Sequence, residues 1–374
     1  MRCALVLLVL RGCQCVQLRF RARRAKTLPT PPSGATARIF REDEQHRRVL
    51  NLDFVPRVGW RGTVFPAIVS PSLAAVATAG ATIYAHETIG FAGIDATGHL
   101  MLGVLVSFMT VFRSQQGYAR YWEARGHLGA LMSSLVDAAS LGAVHLEADD
   151  ARAAADARAE LARLLRVYFT EVVVFLRHES VETEKVGTFW KPADAPARAE
   201  LVRSHDRETT DDERAALGRA ARPPVLVLKW IRAHLQDCVR RGVFVGGSRG
   251  ERQRALASGV ERVLQTLPAH FNGAAKIATT PTPQPYLQMS RWLIFAFVLS
   301  VPLPLLSKAL ATPLAILPVT VFLAFGYYGL DYCSNQLANP FVADFGDAAL
   351  DGHFLRAVCT DVDMLLLEAR GDGH

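Results

Sequence analysis

Residues 62–86 read GTVFPAIVSPSLAAVATAGATIYAH, a run of 25 residues that contains no aspartate, glutamate, lysine or arginine. The hydrocarbon core of a bilayer is about 30 Å thick, and a helix of about 20 apolar residues crosses it. Charged side chains close the run at Arg61 and Glu87. The length and composition of this run predict a membrane-spanning helix, and they direct the interpretation of the rest of the chain.

Three further uncharged runs follow, of 17 residues at 96–112, 16 at 292–307 and 22 at 309–330. The third of the four runs is short and contains Pro302 and Pro304, but neighbouring helices can satisfy the carbonyls that a proline frees in a membrane helix. Together the runs predict four transmembrane helices. Four buried core helices of a soluble protein are the alternative, which the run lengths disfavour.

The charges beside the four runs predict the orientation of the chain. The bases that flank one side are Arg57, Arg61, Arg113, Arg120, Arg125, Lys276 and Arg291. The other side has only Glu87, Asp95 and Lys308. Lysine and arginine close to helix ends accumulate on the cytoplasmic side of membranes. Both termini and the long segment 113–290 are therefore expected on the cytosolic or stromal side.

The overall composition excludes several classes of protein. The chain has 374 residues, a mean hydropathy of +0.16 and six cysteines, which argues against both a disordered protein and a disulfide-stapled secreted domain. Residues 1–50 hold 11 bases and 3 acids, so the remaining 324 residues hold 31 bases and 32 acids. The net charge of +7 thus belongs to the N-terminal segment, and no nucleic-acid partner is predicted.

The N-terminal segment resembles an import signal. Residues 1–41 contain nine bases and no acid, which is the composition of an organelle transit peptide. We assign residues 1–37 to it. A disordered basic tail is one alternative, and the apolar run Ala4–Leu10 is also compatible with a secretory signal. Composition alone leaves plastid and mitochondrion open.

The segment 113–290 reads as helical. Ala151–Leu176 places apolar residues at helical spacing, and Val225–Leu235 follows two prolines that suit a helix start. Between them, Pro192–Pro224 is polar and rich in proline, which predicts a loosely ordered excursion.

One motif suggests a different function. Gly246–Gly250 reads GGSRG, which matches the G-x-S-x-G turn of serine hydrolases and makes Ser248 a candidate nucleophile. That fold needs a sheet, however, and the flanking segments are helical, so a glycine-rich turn between helices is the preferred interpretation. No H-E-x-x-H or C-x-x-C motif occurs, and neither enzyme activity, a metal site nor a cofactor is predicted.

The spans lack the ionisable residues that ion-coupled carriers keep at membrane depth, apart from His99 near one end. A pore between several copies of the chain is the simpler design, with one helix of each copy along the axis. Residues 96–112 are the candidate, because Thr97, Met101 and Leu105 fall on one helical face together with Phe108 or Phe112. The alternative is that this face packs against other helices. Arg113, Arg120 and Arg125 lie just past the helix and are candidates to concentrate anions there, although Arg120 and Glu123 also suit a simple ion pair.

Three motifs carry a family resemblance. Residues 112–125 read FRSQQGYARYWEAR, residues 280–286 read TPTPQPY, and residues 329–351 contain G-L-D, N-P-F and F-G-D-A-A-L-D in that order. Their sequence and spacing resemble the bestrophin family, in its bacterial and plant-type branch, over about residues 38–370.

The resemblance implies an all-α, homopentameric membrane protein that conducts chloride and other monovalent anions, including bicarbonate in some relatives. It implies a first transmembrane helix pair at 38–112, a helical insert at 113–290, a second pair at 291–330 and a tail at 331–374 that packs on a neighbouring subunit. The second span would line the pore, with Thr97, Met101 and Leu105 in its neck.

These arguments predict a passive anion channel of an organelle membrane, placed in the chloroplast thylakoid. Arg113 is the predicted anion-attracting residue. The expected partners are chloride or other monovalent anions, the lipid membrane and further copies of the chain. A pore-inactive scaffold or partner subunit is the alternative, and a membrane serine hydrolase that uses Ser248 is a remote one.

Overall fold

The computed structural model describes residues 64–185, 208–307, 313–341 and 350–367, and the regular elements within these ranges are all helical. The predicted import signal at 1–37 lies outside the described residues. The helices, in chain order, are α1 Phe65–Ile89, α2 Ala96–His145, α3 Ala151–Lys185, α4 Asp211–Arg219, α5 Pro223–Arg241, α6 Arg249–Ser258, α7 Val260–Leu264, α8 Leu267–Thr279, α9 Gln284–Ser300, α10 Pro302–Ser307, α11 Ile316–Ala338 and α12 Leu350–Leu366.

The four predicted spans are confirmed as helical segments long and apolar enough to cross a membrane. They are Ala67–Ile89, Ala96–His145, Gln284–Ser307 and Pro313–Ala338. The third segment is divided into α9 and α10 at Val301, directly before Pro302. A proline there cannot donate the backbone hydrogen bond that would continue α9, so the interruption follows from the sequence.

Helix α2 is far longer than the uncharged run that predicts it. It starts at Asp95, whose side chain accepts a hydrogen bond from the amide of Thr97 at 2.9 Å, and it continues for 50 residues, or about 75 Å. The expected boundary between residues 112 and 113 therefore lies inside one continuous helix. No proline occurs between 96 and 145, and a change from apolar to polar side chains alters the solvent of a helix without ending it.

Helices α2 and α11 run parallel, as the second and fourth of four alternating spans must. Ser107 pairs with Tyr327 at 2.8 Å, and one heptad later Ser114 pairs with Ser334 at 2.7 Å. Gly117 permits this close approach because it has no side chain: an added Cβ would lie 2.7 Å from the carbonyl oxygen of Ser334. This direction agrees with four alternating spans, and the side of the membrane on which the termini lie stays a prediction.

The insert has its own apolar core. Helix α3 buries Leu161, Leu165 and Phe169 in one core, and this core also contains Leu128 and Leu135 from the second half of α2. The predicted helix after the two prolines is confirmed as α5, which ends at Gly242 with a left-handed φ of 82°.

Part of the excursion predicted as loosely ordered is helical. Helix α4 begins at Thr210, whose side chain and that of Glu213 form a reciprocal capping box. Arg163 of α3 then holds Glu213 at 2.8 Å. The prediction is wrong for Asp211–Arg219 because the surrounding prolines and charges hid this helix start.

The tail helix α12 packs on the insert of its own chain. It buries Phe354, Val358 and Val362 against the core of the insert, and Asp363 pairs with Arg166 of α3. The expected contact of the tail with a neighbouring subunit stays a prediction.

Candidate pore face and the charged cluster at its inner end

One face of α2 is free in the single chain. Met101 is 71% exposed and Leu105 is 50% exposed, and Thr97 is exposed one turn earlier. Phe108 and Phe112 continue this face, with their ring centroids 6.3 Å apart. We call these five side chains the apolar stripe. It covers about 22 Å of helix, and it contains all three residues that the sequence predicts to line a pore.

The other side of the same helix is packed. Val106 is fully buried among Ile294 and Val298 of α9 and Ala324 of α11. Gly103 allows Phe297 to come close, since an added Cβ would lie 3.1 Å from that ring. The single chain therefore buries one side of α2 and leaves the apolar stripe uncovered.

His99 is the titratable side chain that the sequence places within this span. Its ring stacks on Phe297 with centroids 4.5 Å apart, and its Nδ1 lies 3.2 Å from the hydroxyl of Ser300. Both partners belong to α9. The imidazole thus helps to join two helices, and it lies away from the apolar stripe.

Arg113 follows the apolar stripe directly but points elsewhere. It is 5% exposed, its guanidinium forms an ion pair with Asp331 of α11, and it donates a hydrogen bond to the hydroxyl of Ser290 at 3.2 Å. Arg291 lies 3.5 Å from the second carboxylate oxygen of Asp331. Two guanidinium groups thus share one carboxylate where α2, α9 and α11 meet.

This charged cluster of Arg113, Arg291 and Asp331 carries one net positive charge at the inner end of the span. Asp331 neutralises part of the positive field that the sequence assigns to Arg113, whose anion-attracting role stays a prediction. In the sequence, Asp331 ends the fourth uncharged run and is the aspartate of the G-L-D motif, and neither position predicts its partner. The signal that could have found this pairing is an acid at the end of one span, when Arg113 and Arg291 lie at the corresponding ends of two other spans.

Arg120 holds two helix ends together. Its guanidinium donates to the carbonyl oxygens of Ile277 and Thr280 at the end of α8, at 2.9 and 2.8 Å, and to that of Ala338 at the end of α11, at 2.9 Å. The last carbonyls of a helix lack partners within the helix and carry partial negative charge, which explains why an arginine is suited to this place.

The expected partner of Arg120 takes another cation. Glu123 accepts a hydrogen bond from Lys276 of α8 at 2.7 Å. Arg125 lies over the rings of Trp122 and of Phe354, at 5.7 and 5.6 Å, and so connects α2 to the tail helix. The motif at 112–125 therefore supplies structural contacts along the inner half of α2.

Ser248 has a structural role. Its side chain accepts a hydrogen bond from the amide of Glu251, and the Glu251 carboxylate accepts one from the amide of Ser248, so Ser248 caps α6. The preceding Gly246 has a left-handed φ of 125°. The interpretation as a glycine-rich turn between helices is confirmed, and the described part of the chain contains no strand from which a hydrolase turn would start.

The described ranges show no metal site either. Within the described ranges, no three or more histidine, cysteine, aspartate or glutamate side chains are grouped so that they could hold a metal ion.

Curated proteins are similar to this chain over most of their length. A voltage-dependent anion channel-forming protein of Mesorhizobium japonicum is 27% identical over 323 residues, which cover 83% of this chain and 88% of that protein. A protein of the same description from Synechocystis is 24% identical over 296 residues, which cover 78% of this chain and 85% of the relative.

Solved structures share the fold. A point variant of a bacterial bestrophin homologue from Klebsiella pneumoniae superposes with a TM-score of 0.62 at 18% identity, over 82% of this chain and 99% of that one. A second structure of a bestrophin homologue from the same organism gives a TM-score of 0.60 at 18% identity, over 82% of this chain and all of the other.

The family model described as bacterial and fungal bestrophin protein matches residues 44–363, which include all four spans, the insert and most of the tail helix. The three motifs at 112–125, 280–286 and 329–351 lie inside this match. The chain belongs to the bacterial and fungal bestrophin family.

Proposed function

We propose that the protein is a passive anion channel whose pore lies between copies of the chain, with the apolar stripe of α2 along the axis. The observation that carries this proposal is the exposure of that stripe on a helix that buries Val106 and Thr110 against the other spans of the same chain. The printed descriptions of the relatives from Mesorhizobium and Synechocystis, which name anion channel-forming proteins, support the same activity.

The apolar stripe suits a neck that controls conduction. An apolar ring holds water poorly when it is narrow, so small movements of the surrounding helices change whether ions pass. Gln115 and Gln116 follow Phe112 and are exposed, which gives the next turn of α2 a polar surface. A neck limited to residues 97–112, followed by a wetter passage along the inner half of α2, is consistent with this pattern.

The charged cluster at the inner end gives a reason for anion preference. Its two guanidinium groups and one carboxylate leave a net positive charge beside the span, and a positive field at a low-dielectric passage raises the local concentration of anions. The proposal assigns this effect to the cluster as a whole, with Arg113 as one contributor.

The finer parts of the proposal are a homopentameric assembly, chloride or bicarbonate as the permeant anion, and an organelle membrane, the chloroplast thylakoid, as the location. The family resemblance supports the first two parts. The acid-free, arginine-rich segment at 1–37 supports the third.

Planar bilayers with asymmetric chloride test the proposal on the purified full chain. Anion-selective currents are expected, with permeability ratios that shift in the double variant Met101→Ala, Leu105→Ala. Phe322→Ala is the matched control, because Phe322 is 76% exposed on α11, outside the proposed pore face. Silent bilayers from a folded oligomer would favour the scaffold, and equal ratios in all three proteins would move the neck away from this stripe.

A further inference from the structure

The insert contains a cavity of about 270 Å³ on the side of α8 that faces α3 and α5. Its walls are apolar, formed by Val225 and Leu228 of α5 and by Pro268 and Phe271 of α8. Pockets for drug-sized ligands measure about 300–1,000 Å³. The volume of this cavity therefore suits a smaller molecule with an apolar body.

Tyr168 of α3 also lines the cavity, and it is 1% exposed. Within the described part of the chain its hydroxyl has no hydrogen-bond partner. This hydroxyl is not one of the fully enclosed polar atoms that lack a partner, so it is accessible to a water molecule or a ligand in the cavity. Burial raises the pKa of Tyr168 despite the opposing charge of Arg232. The phenol therefore stays protonated near neutral pH and presents a donor.

The rim of the cavity is cationic. Lys229 is exposed and lines the cavity, and Arg232 lines it while pairing with Glu261 at 3.0 Å. The guanidinium of Arg222 lies 5.0 Å from the ring centroid of Phe271. Two cations thus line an apolar cavity, one of them balanced by a carboxylate, and a third lies against the Phe271 side chain of its wall.

We propose that this cavity binds a small organic monoanion, a carboxylate on an aromatic or short aliphatic body about the size of benzoate. Its body lies against Leu228, Pro268 and Phe271, and its carboxylate receives the Tyr168 hydroxyl proton as a hydrogen bond and pairs with Lys229. The site favours negative charge, because the ionised side chains that line it are Lys229 and Arg232 and none of its lining residues is acidic. None of the residues that line this cavity belongs to the apolar stripe.

The experiment is a ¹⁹F NMR titration of 4-fluorobenzoate against the full chain in lipid nanodiscs, with empty nanodiscs as the blank. Saturable binding of one probe per chain is expected. Tyr168→Phe removes only the hydroxyl, and Lys229→Glu reverses a rim charge. Each is expected to weaken binding about tenfold, the effect of losing one hydrogen bond or ion pair to a charged group.

The matched control is Arg240→Glu, an equal charge reversal at an exposed site of α5 that does not line the cavity. It should bind the probe as the unaltered chain does. Circular dichroism and gel filtration confirm that each variant is folded. Two results overturn the proposal: no saturable binding, as when a second copy of the chain fills the cavity, or equal binding of 4-fluorobenzylammonium, which carries the opposite charge.

Discussion

Asp331 decides the charge balance where α2, α9 and α11 meet. It is the carboxylate between Arg113 and Arg291, and it lies at the inner end of a membrane span, where an unpaired arginine is expensive. Removing one partner of a buried ion pair costs more than the pair itself contributes, because a charge is left without compensation. Asp331 is thus expected to be more sensitive to substitution than an ordinary surface acid.

Asp331→Asn should lower the free energy of unfolding by about 3 kcal/mol, because it leaves the buried guanidinium of Arg113 without its carboxylate. The measurement is thermal or denaturant unfolding in detergent, followed by circular dichroism. Asp237→Asn is the control, since its partner Arg241 and Asp237 itself are both about half exposed, and such pairs contribute at most about 1 kcal/mol. Equal effects of the two substitutions would contradict the importance of the charged cluster.

At the scale of elements, the contact between α2 and α11 depends on close approach of two backbones. Gly117 lies against the carbonyl of Ser334 and the side chain of Leu337, and the polar pairs Ser107–Tyr327 and Ser114–Ser334 lie along the same contact. Small residues permit such packing between membrane helices, where lipid offers no hydrophobic incentive for association. The helix that carries the proposed pore face is positioned by this contact.

Gly117→Ala should destabilise the protein by about 1–3 kcal/mol, because the added methyl group must push α11 away from α2. Gly126→Ala lies in the same helix with no atom within 4 Å of its new Cβ, and it should be neutral or stabilising by up to about 1 kcal/mol. Unfolding of both variants under identical conditions measures the difference. The close contact is refuted when Gly117→Ala is as well tolerated as Gly126→Ala.

At the scale of the whole molecule, the chain joins a membrane part with uncovered apolar surface to an insert with a conventional core. Helix α2 belongs to both, so any displacement of its inner half is transmitted to the apolar stripe without an intervening loop. Several groups that titrate in mild acid lie in the insert. They include His234, whose pKa is lowered by burial, although its hydrogen bond to the carbonyl of Ala157 acts in the opposite direction.

The insert should therefore lose stability as the pH falls. A histidine with a lowered pKa in the folded state contributes fully above its unfolded value of about 6.5, and the contribution declines below it because only the unfolded chain takes up the proton. The melting temperature should fall between pH 7 and pH 5, and His234→Gln should reduce this slope. An unchanged slope in that variant would assign the pH response to other groups.

The sequence alone determined the class of the protein and the number of its spans, while the orientation of the spans stays a prediction. These properties depend on local quantities, namely the length of each uncharged run and the charges beside it. Each run meets the lipid as a separate helix, so its own length and composition decide whether it spans the membrane. It also determined the face of α2 that carries Thr97, Met101 and Leu105, since helical periodicity places them together before any packing is known.

Only the tertiary structure decided which residues meet across the chain. The pairing of Arg113 with Asp331 joins positions 218 apart, and the three carbonyls around Arg120 come from the ends of two other helices. The cavity beside Tyr168 likewise requires three helices to be placed at once. Such contacts depend on how helices pack in three dimensions, and no local pattern of residues records which distant side chain will satisfy a buried charge or leave a hydroxyl without a partner.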